Sequence, residues 1–230
     1  MNLPALFLLL IVSALPLQAA ERPAVLPDTM AQRVLACTSC HAKKDVNDQF
    51  FPRISGKPAG YLYNQLINFR DGRRQYPLMT YMVEHLPEAY LLEIATHFAA
   101  QHLPAPPIQP TDASAAVLER GRVLVMQGDT SLKVPACIAC HGDKLTGVAP
   151  GIPGLAGLPR DYVNAQFGAW RNKVRRAHAP DCMADIANRL SLADVSAVSS
   201  WLGLQAVAPD ARPASAIARP LPLKCGSAPD

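Results

Sequence analysis

Apolar residues recur along this chain with the period of amphipathic helices rather than with that of strands. Residues 58–70 place Leu62 and Leu66 about one helical turn apart, behind a proline in the first turn. Ser191 and Asp194 form a capping box that predicts the start of another helix. The same criteria predict helices at residues 29–36, 58–70, 87–101, 113–127, 159–173 and 192–204. Because no segment shows convincing period-two alternation, the sequence predicts an all-α fold.

The first 20 residues carry no charged side chain, and residues 6–12 are all apolar. This pattern predicts a secretory signal peptide cleaved near Ala19 or Ala20. The alternative is an uncleaved membrane anchor, but the apolar stretch 3–17 is shorter than the roughly 20 residues that span a bilayer. Export to the periplasm, an oxidising compartment, would let this six-cysteine chain keep a disulfide.

The remainder of the chain contains an internal repeat. Five residues recur 101 positions later: Pro52, Gly56, Tyr61, Gln65 and Arg70 as Pro153, Gly157, Tyr162, Gln166 and Arg171. Met79 recurs as Met183 at a spacing of 104, so three residues are inserted before Met183, in the stretch that holds His178. The two halves therefore share one structural plan.

A proline-rich segment separates the two halves, with four prolines among residues 103–110. This composition favours an extended spacer over helix or sheet. The predicted organisation is a signal peptide at 1–20, a first domain at 21–103, a linker at 104–111, a second domain at 112–205 and a C-terminal tail at 206–230.

Composition narrows the range of partners and cofactors. Charged residues make up 17% of the chain, below the usual quarter, and the net charge is only +4. That charge is too small to indicate a nucleic-acid partner. Two domains of this size are small to hold together on side-chain packing alone, so a bound apolar group would complete each core.

The motif Cys-x-x-Cys-His occurs once in each half. Its two copies are Cys37-Thr-Ser-Cys40-His41 and Cys137-Ile-Ala-Cys140-His141. This is the attachment signature of a c-type haem: the two thiols add to the vinyl groups of the porphyrin, and the histidine binds the iron. The sequence therefore predicts two covalently bound haem c groups.

A bare Cys-x-x-Cys also occurs in dithiol redox centres and as half of a zinc site. A thioredoxin-type centre needs a βαβ context, which this sequence lacks. A four-cysteine zinc site usually closes over roughly 15–20 residues, whereas the two pairs here begin 100 residues apart. Neither alternative requires the histidine that follows each pair, so haem attachment is favoured.

The sixth iron ligand decides what each haem does, and the repeat favours Met79 and Met183. A thioether ligand favours the ferrous state and raises the reduction potential. Met82 competes with Met79, but its counterpart is Ile186, which cannot bind iron. The other candidate ligands are His85, His97, His102 and His178.

Two cysteines lie outside the motifs. In an oxidising compartment the simplest pairing is a Cys182–Cys225 disulfide, which would tie the tail, which has no obvious fold, to the loop that presents Met183. Two unrelated thiols are one alternative. The other is that Cys182 binds the iron as a thiolate, which would lower the potential and suggest sulfur chemistry.

Basic residues cluster at the ends of equivalent predicted helices. They are Arg70, Arg73, Arg74, Arg171, Lys173, Arg175 and Arg176. Solvated cations at helix C-termini, where they complement the helix dipole, are the favoured interpretation. The second interpretation is that one arginine in each half pairs with a haem propionate or with an acidic partner surface.

From about residue 30 to 205 the sequence resembles the two-haem class I cytochromes c, in particular the bacterial cytochrome c-four group. The resemblance rests on both Cys-x-x-Cys-His motifs, Met79, Met183 and the segments 61–65, 150–157 and 162–166. It implies two cytochrome c domains packed about a pseudo-two-fold axis, with each iron bound by His and Met. Ala42 replaces the glycine that usually follows the first haem histidine, and the tail with Cys225 lies outside the family pattern.

The resemblance implies a periplasmic electron carrier with redox proteins as donor and acceptor. Members of the group carry electrons from a quinol-oxidising complex or a periplasmic dehydrogenase to a membrane-bound oxidase or a reductase. Two other hypotheses stay open. One is a two-haem enzyme of the thiosulfate dehydrogenase or peroxidase type, and the other is a cytochrome subunit dedicated to one dehydrogenase.

Overall fold

The computed structural model describes residues 28–41, 50–102, 107, 108 and 110–228. The predicted signal peptide and half of the predicted linker, residues 104–106 and 109, lie outside the described residues. Helices account for most of the regular structure, which confirms the all-α prediction.

The described residues of the first half form five helices. They are α1 (Met30–Arg33), α2 (Leu35–His41), α3 (Ala59–Arg70), α4 (Pro77–Val83) and α5 (Glu88–Ala99). The second half contains α6 (Ala115–Met126), α7 (Ile138–His141), α8 (Arg160–Arg171), α9 (Cys182–Arg189) and α10 (Leu192–Gly203). The predicted capping box is present at the start of α10, where Ser191 and Asp194 each bond the other's backbone N–H.

The second half also contains two small antiparallel pairs of strands, which the sequence did not indicate. They are β1 (Gly128–Asp129) with β2 (Val134–Pro135), and β3 (Gly147–Val148) with β4 (Ile152–Pro153). Each strand is two residues long, so no alternation of apolar and polar residues can develop in it.

The helices that carry the two candidate methionine ligands were also not predicted. Met79 lies on α4, which has Pro77 in its first turn, and Met183 lies on α9, whose N-cap Asp181 accepts a hydrogen bond from the N–H of Ala184. The sequence interpretation had placed Met183 in a loop, and that placement is wrong. These helices have seven and eight residues, too few to establish a helical period in the sequence.

Buried apolar residues form two separate clusters. The first draws on residues 34–98 and includes Leu91, Ala95 and Phe98 of α5. The second draws on residues 124–202 and includes Leu124 of α6 and Leu202 of α10. Each half therefore has its own core, built mainly around the last helix of that half.

Helices α6 and α10 pack most closely where α6 has a glycine. A Cβ atom built on Gly121 would lie 2.2 Å from the carbonyl oxygen of Ala197 in α10. On the neighbouring helix α8, a Cβ on Gly168 would meet no atom within 4 Å. Only the first of these glycines is required by packing.

None of the helices in the described part of the chain has the length and apolar character that crossing a membrane requires.

Candidate functional site

The two Cys-x-x-Cys-His motifs lie at equivalent places in the two halves. The first forms the end of α2, and the second forms α7 together with its N-cap Cys137. None of the four motif cysteines forms a disulfide. Burial raises the pKa of the Cys37 and Cys140 thiols and raises that of Cys137 to about 12. A dithiol redox centre needs a lowered thiol pKa, so these values weigh against that alternative.

Both motif histidines are oriented by the same kind of hydrogen bond. His41 Nδ1 lies 2.7 Å from the carbonyl oxygen of Pro52, and His141 Nδ1 lies 2.7 Å from that of Pro153. A carbonyl oxygen can only accept, so in both rings Nδ1 carries the proton and donates. Nε2 is therefore the unprotonated nitrogen of each ring, which is the tautomer that a metal ligand requires.

His141 is buried, with 7% of its surface exposed. Burial lowers its pKa, although the bond to Pro153 opposes that effect. The ring is therefore neutral at neutral pH.

Each histidine opens onto an apolar cavity that also contains its cysteines. The first cavity has a volume of about 500 Å³ and is lined by Cys37, Cys40 and His41 together with apolar side chains such as Phe98. The second has a volume of about 170 Å³ and is lined by the equivalent residues Cys137, Cys140 and His141, with side chains such as Phe167.

The candidate sixth ligands line the same cavities. Met79 and Met82 both line the first cavity, so the geometry leaves the choice between them open. Met183 lines the second cavity, and so does His178. The remaining histidines, His85, His97 and His102, line neither.

The Cys182–Cys225 disulfide is present, which confirms the predicted pairing. It consumes the thiol of Cys182, so this residue cannot bind an iron as a thiolate. The disulfide thus removes the feature on which the sulfur-oxidising enzyme hypothesis depended. Within the described residues, no three or more His, Cys, Asp or Glu side chains are grouped so as to hold a metal ion.

A polar wall separates the two cavities and contributes to both of them. Six side chains line the first and the second cavity alike: Lys57, Tyr61, Gln65, Tyr162, Gln166 and Arg175. Backbone hydrogen bonds between the halves position this wall. The N–H of Gln75 donates to Val174 and that of Arg176 donates to Arg73, both at 2.7 Å.

Two arginines, one from each half, connect the residues of the polar wall that come from different halves. Arg74 donates to the side-chain oxygens of Gln65 at 2.9 Å and Gln166 at 2.8 Å. Arg175 donates to the same two oxygens, at 3.3 Å and 2.6 Å. The sequence did not predict that these residues meet, although the repeat had already paired Gln65 with Gln166.

Each arginine also stacks on an aromatic ring of its own half. Arg74 lies 4.6 Å from the ring centre of Phe69, and Arg175 lies 4.0 Å from that of Trp170. The prediction of solvated cations at helix ends is therefore wrong for Arg74 and Arg175. Arg175 is only 7% exposed.

Comparisons with known proteins agree with an arrangement of two halves that each contain a Cys-x-x-Cys-His motif. A search for matching family models found none. A thiosulfate dehydrogenase electron acceptor of Thiomonas intermedia is 35% identical over 179 residues, covering 76% of this chain and 80% of that protein. Cytochrome c4 of Pseudomonas aeruginosa is 30% identical over 174 residues, covering 74% of this chain and 84% of that protein.

This chain belongs to the cytochrome c4 family. The crystal structure of cytochrome c4 from Pseudomonas stutzeri superposes with a TM-score of 0.64 at 26% identity, covering 76% of this chain and 96% of that one. Cytochromes c4 are electron carriers that contain two haems, so the family implies haem c as the cofactor and electron transfer, not catalysis, as the activity.

The polar wall fits the haem that the cytochrome c4 family implies. Arg74, Arg175 and Lys57 form no ion pair with any carboxylate in the described parts of the chain. Burial, followed by the neighbouring cations, lowers the pKa of Lys57 and of Arg175. Arg175 is a buried cation and requires an anion, which the propionate of a haem in either cavity would supply.

We expect Arg175→Gln to lower the reduction potential of at least one haem by roughly tens of millivolts. The loss of a nearby cation stabilises the ferric state relative to the ferrous state. A redox titration followed by visible spectroscopy measures the shift. Arg122→Gln is the matched control, since Arg122 pairs with Glu119 at the exposed surface of α6. Equal shifts in the two variants would contradict the assignment.

Proposed function

We propose that this protein is a periplasmic two-haem cytochrome c that carries single electrons between redox proteins. One haem would be attached to Cys37 and Cys40 and the other to Cys137 and Cys140. The observation that carries the proposal is that both motif histidines bond a backbone carbonyl through Nδ1 and line an apolar cavity that is also lined by the two motif cysteines. The proposed domains are residues 21–103 and 112–205.

Haem c supplies an iron that alternates between the ferrous and ferric states. The protein's own residues hold that iron in one geometry. His41 and His141 are fixed by the carbonyl oxygens of Pro52 and Pro153. Met79 and Met183, which line the same cavities, would each supply a thioether ligand to the iron. Rigid ligands and dry cavity walls limit the reorganisation that accompanies each electron.

The two proposed haem sites would share the polar wall. Because the same side chains line both cavities, an electron could pass between the haems without leaving the protein. The cations of the wall, Lys57 and Arg175, line both cavities and would neutralise haem propionates there.

Two relatives suggest the electron donor. The proteins of Thiomonas intermedia and Stutzerimonas stutzeri are each named as an electron acceptor of thiosulfate dehydrogenase. We propose a periplasmic dehydrogenase of this kind as the donor, with a quinol-oxidising complex as the alternative, and a membrane-bound terminal oxidase or a reductase as the acceptor. The hypothesis that this chain is a cytochrome subunit dedicated to one dehydrogenase stays a separate prediction.

We expect full-length protein from an exporting, haem-competent host to contain two haems per chain and to accept two electrons in a redox titration. Magnetic circular dichroism should show histidine–methionine ligation at both irons. Mixing with reduced thiosulfate dehydrogenase should reduce the haems within the turnover time of the donor. Colourless or zinc-containing protein would contradict the cofactor assignment, and failure to accept electrons from this donor would contradict the partner.

A further inference from the structure

The C-terminal tail is attached to the second half at three places. We use the name C-terminal strap for residues 214–228. At its start, Ala214 exchanges backbone hydrogen bonds with Gly147 and Ala149, at 2.9 Å and 2.8 Å. Near its end, the Cys182–Cys225 disulfide ties it to α9. Two further bonds connect the end of the strap to the segment immediately before α9. They run from Gly226 N–H to the carbonyl of Pro180, at 2.9 Å, and from His178 N–H to Ser227 Oγ, at 3.2 Å.

Between these attachments the strap has one inward face. From Leu221 to Ser227, alternate residues are partly buried and the residues between them are exposed. The partly buried residues are Leu221, Leu223, Cys225 and Ser227, and all four line the second cavity. The exposed residues include Pro222 and Lys224. This alternation is that of an extended segment with one side against the protein.

The first cavity has a different boundary. Tyr76, Leu78 and Tyr81 lie around Met79, and their surfaces are 42%, 47% and 74% exposed. Tyr76 and Leu78 line the first cavity. At the spacing of 104 the counterpart of Leu78 is Cys182, which is the residue that holds the strap. Among the described residues, no disulfide ties a segment of the chain to the first cavity, since its cysteines Cys37 and Cys40 are both free.

We infer that the C-terminal strap closes the second cavity and holds Met183 in place, so that a small external ligand displaces methionine at the first iron but not at the second. The inference rests on the proposed haem sites. An incoming ligand can bind only after Met183 moves out of the cavity. The disulfide holds Cys182, the residue before Met183, to the strap, and Leu221 and Leu223 of the strap line the same cavity as Met183.

Titration of the ferric holoprotein with imidazole tests this inference, with magnetic circular dichroism to separate methionine-ligated from imidazole-ligated haem. The natural protein should bind imidazole at one iron per chain. We expect Leu221→Ser/Leu223→Ser and, separately, Cys225→Ser to bind it at both irons. The association rate at the second iron should rise at least about tenfold in each variant. Lys224→Ser, which changes an exposed strap residue, should behave as the natural protein.

Two results would overturn the inference. One is imidazole binding at both irons of the natural protein with similar rates, and the other is unchanged binding in the Leu221→Ser/Leu223→Ser variant. That variant keeps the disulfide, so it decides the question if Cys225→Ser fails to fold. The haem count and the ligand spectrum of the natural protein before imidazole is added test the proposed function separately. If the natural protein contains two methionine-ligated haems and both bind imidazole, the inference about the strap is wrong, but the proposed function stands.

Discussion

Met183→Ala should lower the reduction potential of one haem by a substantial part of the roughly 0.8 V range over which axial ligands tune haem iron. A thioether stabilises the ferrous state, and alanine leaves the position to water or to another side chain. Met79→Ala should do the same to the other haem. Each variant should leave the untouched half nearly unchanged, because each half has its own core and its own cavity. Redox titration together with magnetic circular dichroism identifies the iron that has lost its thioether.

The chain offers a matched control for each of these substitutions. Met82 lies on α4 one turn beyond Met79 and lines the same cavity, so Met82→Ala removes a similar volume without removing the proposed ligand. His178 lines the second cavity, and His178→Ala should likewise keep the thioether signature of the second iron. If Met82→Ala lowers the potential while Met79→Ala does not, Met82 is the ligand. If His178→Ala abolishes the low-spin spectrum of the second haem, His178 replaces Met183 in that role.

The sequence predicted the long helices well, because each carries several turns of apolar spacing and most have a recognisable first turn. The start of α10 shows this most clearly, since the Ser191–Asp194 box is visible in the sequence and present in the structure. Helices α4 and α9 were not predicted, although they carry Met79 and Met183. The repeat could align the two methionines, but alignment gives no backbone conformation.

The polar wall could not be predicted in the same way. Gln65 and Gln166 were paired by the repeat, and Arg74 and Arg175 were recognised as members of a basic group, but their meeting depends on how two separate cores pack together. Tyr162 illustrates the consequence of that packing. Burial would raise the pKa of its phenol, yet the charges of Arg74, Arg175 and Lys57 outweigh burial and lower that pKa. Such long-range electrostatics leave no local pattern in a sequence.

The C-terminal strap was predicted only in part from the sequence. The Cys182–Cys225 pairing followed from counting the cysteines outside the motifs. The run Leu221-Pro-Leu223-Lys-Cys225 also alternates with period two, which in retrospect indicates a segment with one buried side. The prolines around it suggested only an irregular tail. What the sequence could not supply was the surface that this face covers, which is the second cavity.

Gly121→Ala should destabilise the second half by about 3 kcal/mol, a cost at the upper end for overpacking a core. The added methyl group would meet the backbone carbonyl of Ala197, which cannot rotate away as a side chain can. Helices α6 and α10 would have to separate, and the separation would disturb Leu124 and Leu202 in the core behind the second cavity. Chemical denaturation of the holoprotein, followed by circular dichroism and by haem absorbance, measures the loss.

Gly168→Ala is the matched control for Gly121→Ala, because it should change the stability in the opposite direction. Gly168 lies inside α8 with open space at its Cβ position, so alanine there should stabilise the protein by roughly 0.5–1 kcal/mol through its higher helix propensity. The same substitution is thus expected to act in opposite directions on two helices of one core. If Gly121→Ala were neutral or stabilising, the close approach of α6 to α10 would be wrong. The packing that forms one wall of the second cavity, on which the position of Met183 depends, would then have to be different.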